Sequence, residues 1–144
     1  MTTKTKKLGY WIATGLAGAG FAAGGLMDLA HGADVDATMV HLGYPVHLAT
    51  LLGIWKVLGA IAILAPRLPR LKEWAYAGIA FDLTGAAWSH AQAGDGASAI
   101  VTPLVLLAIA TASWALRPAD RRLDAPRLVV DHRAEERGGL VLAA

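Results

Sequence analysis

Two runs of twenty residues, 8–27 and 97–116, contain no charged side chain. At ~1.5 Å of rise per residue, a helix of that length crosses the ~30 Å hydrocarbon core of a bilayer. Two more runs of similar length, 47–65 and 74–93, are apolar apart from one central charge each, Lys56 and Asp82. With 56% hydrophobic and only 17% charged residues, a 144-residue chain is too apolar for an ordinary soluble domain. The pattern predicts an all-α fold, a four-transmembrane-helix bundle with spans at about 8–29, 47–65, 74–93 and 97–116.

The basic residues fall in three groups: Lys4, Lys6 and Lys7; then Arg67, Arg70 and Lys72; then Arg117 and the arginines that follow it. The connections at 30–46 and 94–96 have none. Positive charge marks the cytoplasmic side of a multi-pass protein, so both termini and the middle loop are expected inside the inner (cytoplasmic) membrane. A secretory signal is the competing reading of the N-terminus, but the apolar run is longer than a signal core and no soluble domain follows it. The sequence pI of about 9.2 is thus read as topology, with membrane lipid and not nucleic acid as the implied surroundings. Residues 117–144 mix arginines, carboxylates and prolines without an apolar period, so a charged, largely disordered cytoplasmic tail is expected.

The chain has no cysteine, which excludes thiolate chemistry and Cys-ligated metal or iron–sulfur centres. The glycine pairs lie inside apolar helices and not after a strand, so no flavin or nicotinamide fingerprint is present. Gly20 and Gly24 have the spacing of a small-residue packing face.

Lys56 lies ten residues before Pro66 and Asp82 nine after Glu73, which puts both about 14 Å from the cytoplasmic end. An isolated charge in a span costs ~2.5–3.5 kcal/mol, so a Lys56–Asp82 ion pair in the bundle core is expected. Such a pair either fixes helix register or lines a cavity where a head group, proton or ion is handled. His90, two turns from Asp82, is the candidate for a proton route outward. Asp28, His31, His41, His47 and Asp95 form an expected polar cluster at the outer end. No two histidines there have the i, i+3 or i, i+4 spacing of a helical metal face, so a polar rim is preferred to a metal site. Trp74, Phe81 and Trp88 recur every seven residues, as in a lipid-facing or packing stripe.

The segment 42–95, with Tyr44 and Pro45, "GIWKVLG" around Lys56, "LKEWAYAG" with Glu73 and Tyr76, and "SHAQAGD" with His90 and Asp95, resembles the DoxX-like family of small four-helix bacterial membrane proteins. That family takes its name from a subunit of a thiosulfate:quinone oxidoreductase. The resemblance implies a quinone-interacting or anchoring subunit of a membrane redox assembly, an electron-donating partner protein and no catalysis by the chain alone. Lys56, Asp82 and Tyr76 would then serve as donors to a quinone head group. A proton-coupled or small-molecule carrier and a structural or chaperone-like bundle are the alternatives, and association into a homo-oligomer is compatible with all three.

Overall fold

The computed structural model describes residues 3–123. Within them the chain is all-helical, with five α-helices and no strand: α1 (Thr3–Ala30), α2 (Ala33–His41), α3 (His47–Leu64), α4 (Pro69–Gln92) and α5 (Ala97–Leu116). Breaks fall where backbone chemistry requires them. His31 adopts a left-handed φ of 49° after α1, and Gly94 one of 75° after α4. Pro66 and Pro69 frame the α3–α4 connection, with Pro69 in the first turn of α4, where its missing N–H costs nothing. The short α2 fills much of the connection before Tyr44 and Pro45.

The long helices α1, α3, α4 and α5 form a closed ring, in which α1 packs on α3 and α5, and α4 packs on α5 and α3. Consecutive long helices run antiparallel, so the start of α1 and the end of α5 share one end of the bundle, and α2 covers the other. The buried core contains Ala17, Phe21, Ala60, Ile63, Tyr76, Ile79, Leu83 and Ala110. Small side chains dominate the inside, while Trp74, Phe81 and Trp88 are 80%, 78% and 67% exposed. The heptad stripe of α4 therefore faces outward, away from the bundle core.

Three helical segments, Lys4–Ala30, His47–Leu64 and Ala97–Leu116, are both long and apolar enough to cross a membrane. At 24 residues α4 has the length, but Arg70, Lys72, Glu73 and Asp82 lower its hydropathy. The first residues of the expected tail belong to the bundle instead: Arg117 is buried, and Ala119–Arg121 forms a 3-10 turn. The rest of that tail, 124–144, lies outside the described residues.

Candidate functional site

Helices α1 and α3 approach each other closely, and two glycines permit it. A Cβ on Gly25 would lie 2.9 Å from the Gly53 carbonyl oxygen, and a Cβ on Gly53 would lie 2.8 Å from that of Gly25. Asp28 follows Gly25 by three residues and Lys56 follows Gly53 by three, so each charge sits on the same helix face as its glycine. The result is an ion pair, Lys56 Nζ donating to Asp28 Oδ2 at 2.8 Å, with both side chains largely buried. The expected Lys56–Asp82 pair is replaced by this one, and Asp28 leaves the expected outer rim for the interior. The expected Gly20/Gly24 face is also corrected: Gly20 packs against Leu106 of α5, and Gly24 has open space beside it.

Asp82 stands near this pair and interacts electrostatically with Lys56 and Asp28. Among the described residues it has no hydrogen-bond or ion-pair partner. It faces space instead. A cavity of about 440 Å³ between α3 and α4 is bounded by Trp55, Leu58, Leu71 and Trp74 and reaches Lys56 and Asp82. A second, of about 480 Å³, extends from the same two residues toward the α2 end, past Thr38, His90 and Thr102. Both also touch Phe21, so Phe21, Lys56 and Asp82 stand at their junction. Pro103 lies on the wall of the second cavity and lacks an N–H, which leaves the Ala99 carbonyl of the same wall without its helical donor.

Tyr76 does not join them. Its hydroxyl is 2.7 Å from Ser113 Oγ, which is 2.6 Å from Thr14 Oγ1, which in turn donates to the Tyr10 carbonyl. This chain is buried at the Arg117 end and lines neither cavity that reaches Lys56. His90 does line the second cavity, where its Nδ1 donates to Asp95 Oδ2 at 2.6 Å. His41 donates to the other oxygen of the same carboxylate at 2.7 Å, so Asp95 ties the end of α2 to the end of α4. Hydrogen bonds from His90 and then His41 hold the Asp95 carboxyl below its ordinary value. His31 bridges Asp36 and Thr50, and Tyr44 is bonded to Ser89. The rim residues thus fasten α2 over the second cavity. His47 is exposed. No group of three metal-ligating side chains is assembled among the described residues.

Sequence reasoning passed over a second polar centre at the other end. Lys72 is fully buried and donates to the Ala62 and Ile63 carbonyls, in the last turn of α3, where helical donors run out. Arg117 pairs with Glu73 at 2.7 Å and lies over the rings of Tyr76 and Trp114. Trp114 donates to the other Glu73 oxygen, and Arg121 reaches Tyr10. In the sequence these cations stand only as orienting charges, and the reach of Lys72 back to the end of α3 leaves no local pattern.

The model of the DoxX-like family matches residues 12–113, which spans all four long helices in part or whole. No curated protein and no solved structure matches. The family match and the apolar helices together point to a membrane protein.

Proposed function

The chain belongs to the DoxX-like family, and from that premise we propose that it is a four-span inner-membrane protein that holds the head group of a lipid-soluble quinone for a membrane redox assembly. In this reading α4 is the fourth span, with Arg70, Lys72 and Glu73 at its cytoplasmic end and both chain termini on that side. The supporting observation is the cavity between α3 and α4, which is lined by apolar side chains and reaches two ionisable groups. Its volume falls within the ~300–1,000 Å³ typical of small-molecule sites.

The residues at the inner end fit a quinone head group. Lys56 spends one of its three N–H groups on Asp28 and has others to donate. Asp82 donates when protonated, and the Trp55 and Trp74 side of the cavity suits an isoprenoid tail. A bound quinone would supply the redox chemistry, and electrons would come from a partner protein. The chain itself would orient the head group, exclude water from the α3–α4 side, and pass protons between Asp82 and the cavity that leads to His90. Tyr76 has no part in this.

Purification of the full chain from its native membrane in mild detergent, followed by mass spectrometry of retained lipids and proteins, tests the reading. Stoichiometric quinone that is lost in a Lys56→Met, Asp82→Asn variant, together with a co-purifying dehydrogenase, is the expected result. Phosphatase fusions at each connection test the topology: activity is expected only at 30–46 and 94–96. A second reading, a proton-coupled carrier, draws support from the junction, because one pair of groups meets both cavities.

A further inference from the structure

The charge balance at the junction carries a conclusion that does not depend on the quinone reading. Three charged side chains meet there, Asp28 from α1, Lys56 from α3 and Asp82 from α4, while α5 has no charged residue between Ala97 and Leu116. His90 is the other titratable group on the second cavity. Lys56 is committed to Asp28 at 2.8 Å, and the pair is neutral. That leaves Asp82 as one carboxyl in excess, without a hydrogen-bond or ion-pair partner among the described residues.

A carboxyl next to apolar walls is stable in two conditions: holding a proton, or holding a cation that brings no water with it. The first cavity suits such a cation. Phe21, Trp55 and Trp74 line it, with Trp55 and Trp74 on its open side, and aromatic rings attract positive charge, while Leu52, Leu58 and Leu71 offer aliphatic contact. A hydrated metal ion finds no ligand set among the described residues, because no group of three metal-ligating side chains is assembled and the nearby Asp28 carboxylate is committed to Lys56. The neutralised Lys56 removes the repulsion that would otherwise exclude positive charge.

We propose that the α3–α4 cavity binds hydrophobic organic cations, quaternary ammonium or phosphonium compounds with aromatic or alkyl substituents, against the Asp82 carboxylate. Proton and cation then occupy Asp82 in turn. When the cation binds, the carboxyl gives up its proton to water in the second cavity, and when the proton returns the cation is released. Binding therefore weakens as pH falls.

The test uses the full chain in detergent with tetraphenylphosphonium as the probe, measured by equilibrium dialysis against protein-free micelles at about pH 8 and about pH 5. The expected result is saturable binding at the higher pH, at least tenfold weaker at the lower, with release of up to one proton per probe in weakly buffered solution. Asp82→Asn should abolish binding while leaving the thermal melt in place, Asp82→Glu should keep it, and Trp74→Ala should weaken it several-fold. Absence of saturable binding by the folded wild type would overturn the proposal, as would undiminished binding by a folded Asp82→Asn variant. If Asp82→Asn fails to fold, Asp82→Glu and the pH dependence decide: equal binding by the folded chain at about pH 5 and about pH 8 overturns it. Quinone retention is measured separately, so a chain that binds the probe but holds no quinone loses only the redox reading.

Discussion

The two polar centres of the bundle are built on opposite plans. At the Arg117 end, Tyr10, Thr14, Ser113 and Tyr76 pass hydrogen bonds from helix to helix, and Arg117, Glu73 and Trp114 lock the rim beside them. Around Lys56, one pair is satisfied and a third group, Asp82, looks into two cavities. The Arg117 end is the more densely connected, although Arg117 Nη1 is buried there without a partner among the described residues; such networks rigidify a fold, whereas an unmatched group next to open space is what a ligand or proton can use. Buried charge thus has two meanings in this one molecule, and the partner list separates them.

That contrast can be broken by substitution. The largest loss of stability is expected for Arg117→Ala, which removes one of the two partners of Glu73 and uncovers Tyr76; it should cost about 3 kcal/mol, read as a lower melting temperature in detergent. Gly53→Ala should cost about 2 kcal/mol, because the added Cβ meets the Gly25 carbonyl and Leu29 at 2.8 Å and must push α1 from α3. Ser113→Ala removes the shared partner of Thr14 and Tyr76 and should cost about 1.5 kcal/mol in the same melt. Asp82→Asn should change stability by less than about 0.5 kcal/mol, since no bond is lost, yet it should remove ligand retention. Equal destabilisation by Ser113→Ala and Asp82→Asn would erase the distinction between the two centres.

The smallest effect concerns the rim. Because the Asp95 carboxyl is held below its ordinary value, its contribution is present above the unfolded value of ~3.9 and is lost as pH falls through the folded one. Amide exchange in α2, corrected for its intrinsic pH dependence, should therefore be steady from neutral to mildly acidic pH and accelerate only in stronger acid. Asp95→Asn should accelerate it at neutral pH.

Much of the fold could be read from the chain. The uncharged run at 97–116 has the same ends as α5. The site was legible in part. Lys56, Asp82 and His90 do line connected space, but the ion pair was assigned to Asp82 by counting depth along neighbouring spans. Depth along a helix does not report how near two helices come. Asp28 was within reach because Gly25 and Gly53 removed the side chains between, and their shared spacing to Asp28 and Lys56 was the available sign. Tyr76 differs from the expectation for a related reason: a buried phenol needs a hydrogen-bond partner, and Ser113, 37 residues later, supplies it. Such long-range partners leave no local pattern.

The choice of Asp28 over Asp82 also bears on the order in which the protein is made. Ribosomes release the N-terminus first, so Asp28 emerges 28 residues ahead of Lys56. When the lysine enters the bilayer, its counter-ion is already there, one hairpin away. A lysine that depended on Asp82 would have to wait as a bare cation for a helix not yet synthesised. The two glycines that let α1 and α3 touch thus make insertion of this segment self-sufficient, and Asp82 arrives with no debt to discharge.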